Sequence, residues 1–141
     1  MQVDFYQLAG EPAPAMAAQL AAKVLGTGER LLIVAAPDAL DPLAEALWGA
    51  GEPFLANGKA GGAHDARQPI LLDSEVAPAN GARFLLLADG QWRDPGDRFD
   101  RAMLLFDAET IAGARAAWRQ LGEGVTRRYW KRQDGRWVEG P

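Results

Sequence analysis

Two arginines and a tryptophan, Arg115, Trp118 and Arg119, stand three and four residues apart in the segment IAGARAAWRQL, residues 111–121. The spacing predicts a helix there, and on a helix these three side chains project as one cluster, because residues i, i+3 and i+4 are surface neighbours. The chemistry such a cluster offers is recognition, not bond breaking. Guanidinium forks take carboxylates bidentately, and an indole beside them forms one wall of an apolar pocket. The matching ligand is an acidic peptide with an aromatic or aliphatic tip. The same segment carries a second stripe, Ile111, Ala114, Trp118 and Leu121, at ordinary core spacing. Trp118 belongs to both stripes, so the spacing alone also fits a core tryptophan with the arginines as a solvated face.

Other residues that could do chemistry are few. The chain has no cysteine, which removes disulfides, thiolate nucleophiles and most zinc sites. His64 is the only histidine and Ser74 the only serine, and neither stands in a recognisable nucleophile context. The glycine-rich GKAGG at 58–62 resembles a phosphate cradle, but Ala60 follows Lys59 where a P-loop needs Ser or Thr, and no glycine stands five residues before Gly58. Gly26 and Gly28 precede an apolar run instead of following one, so they stop a helix and form no dinucleotide fingerprint. Asp89, Asp94, Asp97 and Asp100 fail calcium-loop spacing and sit in turn-like context. No pair of carboxylates suggests acid/base catalysis. No catalytic, cofactor-binding or metal site is therefore expected.

Charge is divided along the chain. From residue 111 onward there are seven Lys or Arg against three Asp or Glu, with three of the five tryptophans, whereas the first 110 residues hold eight bases and sixteen acids. A local cationic, aromatic surface on an otherwise acidic protein attracts something anionic without making the whole molecule adhesive.

The elements that must carry the cluster follow from periodicity. Residues 3–8 alternate as a first strand, Pro12 and Pro14 open a helix running to Leu25, and LLIVAA at 31–36 is a strand buried on both faces. Asp38 is the expected N-cap of a helix with Leu40, Leu43, Ala44 and Leu47 inward and Trp48 at its end. Residues 49–68 are expected as a loop with a short strand at 53–55. Apolar runs at 69–73, 84–89 and 102–107 follow, then the basic helix, a glycine turn and two strand-like segments, VTRRYWKR and RWVE. The alternation predicts one α/β domain over residues 1–141, with a mostly parallel sheet covered by helices on both faces. No apolar run approaches the length of a membrane span, and the N-terminus carries acid where a signal peptide carries base, which gives the expectation of a soluble cytoplasmic protein without a membrane partner.

These stretches together resemble the family of chi subunits of the bacterial DNA polymerase III holoenzyme. The matching residues are Phe5-Tyr6-x-Leu8, Gly28-x-Arg30-Leu31-Leu32-Ile33-Val34, Leu43-x-Glu45-Ala46-Leu47-Trp48 followed by Phe54, Pro69-Ile70, and Ala114-Arg115-x-x-Trp118-Arg119. The resemblance implies a Rossmann-like domain without a phosphate loop and without enzymatic activity. It also implies an adaptor that binds the acidic C-terminal tail of single-stranded-DNA-binding protein through Arg115, Trp118 and Arg119, and that meets the psi subunit of the clamp loader, or a helicase, through Trp48 and Phe54. Where the family can carry a lysine four residues before the helix arginine, Ile111 stands here, with Arg127, Arg128 and Lys131 as candidate replacements. A different function class, direct single-stranded nucleic-acid binding, would use the basic tail, with Tyr129, Trp130 and Trp137 stacking on bases. The acidic remainder of the chain disfavours a long polyanion, so nucleic acid is expected as an indirect partner only.

Overall fold

The computed structural model describes residues 1–51 and 54–140. Strand β1 (Gln2–Gln7) leads into helix α1 (Ala13–Gly26), opened by Pro12 and Pro14 and closed by Gly26 and Thr27. Strand β2 (Leu31–Val34) is followed by a 3-10 turn over Pro37–Ala39 and helix α2 (Leu40–Trp48). Asp38 therefore lies inside that turn, and Ala39 occupies the N-cap position of α2 with no side-chain cap. The expected strand at 53–55 falls partly on residues outside the description, and Phe54 and Leu55 have irregular backbone. The strand of this region is β3 (Asn57–Lys59), which takes in the first residues of the glycine-rich GKAGG segment.

Strands β4 (Ile70–Asp73), β5 (Phe84–Leu87) and β6 (Arg101–Phe106) follow, then helix α3 (Ile111–Gln120) and the hairpin strands β7 (Thr126–Gln133) and β8 (Arg136–Glu139). One eight-stranded sheet results, in the order β3-β4-β2-β5-β6-β1-β7-β8. Among the described residues, only the β7–β8 pair is antiparallel. The mostly parallel sheet with helices on both faces is the Rossmann-like arrangement expected of the pattern. The central strands read as unbroken apolar runs because both of their faces are covered.

Alternation along each strand separates two cores. Tyr6, Ile33, Leu72 and Leu105 face α1 and α2, whereas Phe5, Leu32, Leu71 and Leu104 face α3. No helix joins β4 to β5 or β5 to β6, so α3 shares its face with loops that contribute Val76, Trp92 and Phe99. The second of these loops is pinned by Asp89, whose carboxylate accepts the N–H groups of Ala36 (2.8 Å) and Gln91 (3.1 Å) and pairs with Arg93. Burial opposes ionisation of this carboxyl, but the Arg93 guanidinium and the two backbone donors hold it below the usual carboxylate range. The acids of residues 89–100 are thus turn and anchor residues, as Asp94 accepting the Gly96 N–H also shows.

On β1, between β6 and β7, lies a buried polar group that the sequence does not advertise. Asp4 is fully buried, and its carboxylate accepts hydrogen bonds from Arg101, from Gln2 (3.1 Å) and from the Trp130 indole (3.2 Å). Arg101 also donates to the Tyr6 hydroxyl at 2.9 Å. Burial pushes the Tyr6 phenol up to about 12, with nearby Arg101 pulling in the opposite direction. The folded state therefore holds this proton more tightly than the unfolded chain, whose phenol keeps the ordinary value near 10. The associated stability is complete below about pH 10 and is lost as pH rises through about 12, for a total of roughly 2–3 kcal/mol. Urea midpoints measured between pH 9 and 12 should fall in that window, and the alkaline fall should be absent in Tyr6→Phe.

Candidate functional site

The cationic helix and the C-terminal strand are brought together by one arginine. Arg127, early in β7, donates to the carbonyl of Trp118 and to those of Leu121 (2.9 Å) and Gly122 (3.0 Å), which closes the C-terminal end of α3. A cation at that position also meets the negative end of the helix dipole. Arg127 is accordingly committed to the helix, with its guanidinium 5.8 Å from the centre of the Trp118 ring. The other end of α3 is set by a close approach. Gly90 has φ +79°, and a Cβ there would lie 2.5 Å from Thr110 Oγ1 at the N-cap, so only glycine lets the loop pass against the helix start.

Between α3 and β7 is an open cavity of about 460 Å³. Phe5, Ala114, Trp118 and Tyr129 supply its apolar surface, and Arg115 and Arg119 its charged rim. Phe5 and Tyr129 are register partners on adjacent parallel strands, which places their rings side by side on the α3 face. Trp118 stands edge-on to Phe5, with ring centroids 5.1 Å apart and planes at 61°. Trp118 is half-buried against the core and also lines the cavity. Tyr129 donates its hydroxyl proton to Gln7, whose side chain also lines the cavity. Arg115 and Arg119 are exposed and have no ion-pair or hydrogen-bond partner among the described residues.

The geometry thus unites all three of the sequence-derived residues, Arg115, Trp118 and Arg119, and adds Phe5, Gln7 and Tyr129. The added residues carried a faint signal. Positions i and i+2 of a strand share a face, so Phe5 and Gln7 had to point away from Tyr6 and Asp4. What one sequence lacks is the fact that β7 lies next to β1.

The basic tail does not form one continuous stacking platform. Tyr129 packs with the α3 core, whereas Trp130 and Trp137 pack on the opposite face around Tyr6, at centroid distances of 6.2 and 5.0 Å. Arg132 lies 5.0 Å from the centre of the Trp137 ring. These aromatics are partners of the protein itself, not free surfaces for a run of bases.

A second exposed feature lies at the far side of the molecule. Trp48, at the end of α2, and Phe54 are 49% and 63% exposed, with rings 5.0 Å apart. Nearby, Ala15, Ala18, Ala22, Ala46 and Leu55 line an apolar cavity between α1 and α2. Large apolar side chains exposed as a pair mark a contact surface more often than isolated ones do. His64 is exposed in a loop. Among the described residues, no group of three or more His, Cys, Asp or Glu side chains could hold a metal ion, and no helix is long and apolar enough to cross a membrane.

The family model described as DNA polymerase III chi subunit, HolC, matches residues 1–126. No curated protein matches the chain.

Proposed function

The chain belongs to the DNA polymerase III chi subunit family and is thus an accessory subunit of that polymerase, and from this premise we propose that it is a non-catalytic adaptor that binds the acidic C-terminal tail of single-stranded-DNA-binding protein. One observation carries the reading: an apolar cavity walled by Phe5, Trp118 and Tyr129 opens beside the guanidiniums of Arg115 and Arg119, which have no ion-pair partner among the described residues. An acidic peptide ending in an apolar side chain satisfies both parts at once. The tip removes aromatic surface from water, and the carboxylates meet the forks. The Trp48–Phe54 pair is the surface we assign to the second partner, the psi subunit or a helicase, because exposed aromatics are the residues that anchor protein interfaces. The protein then connects the single-stranded-DNA-binding protein to the clamp loader in the cytoplasm, and meets nucleic acid only through that partner.

Calorimetric titration with a peptide copying the acidic tail, with its apolar tip present or deleted, tests this. Binding should be on the order of micromolar, as for small transient interfaces. It should weaken as salt rises, since exposed charge pairs are screened. Deletion of the tip should abolish it. Absence of binding by the intact peptide at low salt would overturn the assignment.

A further inference from the structure

The hairpin formed by β7 and β8 runs past the residues that the family model matches, and its charges are sorted by face. A turn at Asp134 and Gly135, both with positive φ (54° and 75°), reverses the chain in the tight two-residue geometry that follows strand twist. On the α1 face, the basic residues are matched by acids: Arg128 pairs with Glu139, and Arg132 lies 3.7 Å from Glu11. The α3 face differs. Lys131 is the strand neighbour of the cavity-lining Gln7, Val138 is the strand neighbour of Lys131, and Arg136 is paired with Gln133 one step further along. Lys131 and Arg136 are exposed, neither has an ion-pair partner among the described residues, and Val138 is 38% exposed between them. The acids of this region lie elsewhere: Glu139 on the other face, Asp134 in the turn and Glu123 in the loop after α3.

We infer that this face of the hairpin is the second half of the peptide site, in which Lys131 and Arg136 take the acidic residues that precede the apolar tip seated in the cavity. The inference rests on the proposed reading of the cavity and extends it to a longer ligand. At a strand rise of roughly 3.3 Å per residue, the path from Tyr129 to the level of Arg136 spans about four residues of extended chain. Four cations without an ion-pair partner among the described residues, Arg115, Arg119, Lys131 and Arg136, then border one continuous surface with apolar side chains at Trp118, Tyr129 and Val138. This suits a stretch of carboxylates ending in an apolar residue, and it explains why the opposite face neutralises its own arginines while this one does not.

The test uses the full chain and two peptides, one carrying only the last few residues with the apolar tip, the other adding the upstream acidic residues. The double variant Lys131→Ala with Arg136→Ala should weaken the long peptide by roughly three- to tenfold, as expected for losing two exposed charge pairs. It should leave the short peptide unchanged and flatten the salt dependence of the long one. Arg128→Ala, on the opposite face, should alter neither. Equal binding of the long peptide by the double variant and the parent, or an equal loss with Arg128→Ala, overturns the inference while the cavity reading stands. An unstructured single-stranded oligonucleotide that loses affinity for the double variant, with peptide binding unchanged, also overturns it. If the parent protein binds neither peptide, the cavity reading and the inference fail together.

Discussion

Replacing Asp4 by alanine is expected to lower the free energy of unfolding by about 3 kcal/mol, the low end of what breaking one side of a buried ion pair costs. The low end applies because Arg101 keeps 30% of its side chain exposed, so water can take over part of its solvation. The loss has three parts: an uncompensated guanidinium, an orphaned Trp130 indole N–H, and a void where a fully buried carboxylate stood. Asp4→Asn keeps the shape and an acceptor for the indole, so it should cost less. Urea unfolding at neutral pH measures both, and a loss under about 1 kcal/mol for the alanine variant would mean that the network contributes little. The consequence reaches the site. Trp130 is seated by Asp4, and Tyr129 is its neighbour in β7, so Asp4→Ala should weaken peptide binding while leaving the Trp48–Phe54 surface unaffected.

The second large effect concerns the cavity itself. Trp118→Ala should remove detectable peptide binding, because it deletes one wall of the apolar pocket. It should also cost about 2–3 kcal/mol of stability, since Trp118 packs edge-on to Phe5. The pair Arg115→Ala and Arg119→Ala separates recognition from folding. Both residues are exposed and without ion-pair or hydrogen-bond partners among the described residues, so stability should stay within about 0.5 kcal/mol of the parent. Peptide affinity should fall at least roughly tenfold, in line with losing charge-assisted contacts to carboxylates. Calorimetry beside urea unfolding reads both quantities. Unchanged affinity in the arginine double variant would contradict the proposed site directly.

Much of this was legible in the sequence for identifiable reasons. The apolar runs at 31–34, 70–72 and 85–87 are buried on both faces, so they carry no alternation and announce a parallel sheet. The helix at 111–120 follows the period of its apolar stripe, and the same period places Arg115, Trp118 and Arg119 together. Other features were not readable. Asp38 has the residue type of an N-cap, but the chain enters α2 through a 3-10 turn that moves the cap to Ala39. The strand β3 has three residues and two of them are Asn and Gly, so local propensity argues against it and only pairing with β4 makes it a strand. Asp4 looks like the polar face of an alternating strand, and its burial depends on Arg101, ninety-seven residues away in sequence. The division of the basic tail between two faces follows from alternation, but which face meets α3 depends on β7 adding beside β1. Strand order is a long-range property, and a single sequence does not contain it.

The central claim, that an acidic peptide with an apolar tip docks between α3 and β7, is tested most directly by following the five tryptophan indole N–H resonances during titration with that peptide. The five report on separate places: Trp48 on the exposed aromatic pair, Trp92 on the loop that stacks over Phe5, Trp118 on the cavity, and Trp130 and Trp137 on the opposite face. The account predicts that the Trp118 resonance shifts most, with a smaller shift at Trp92 and none at Trp48. A saturable shift at Trp48, or at Trp130 and Trp137, with Trp118 unmoved would contradict it.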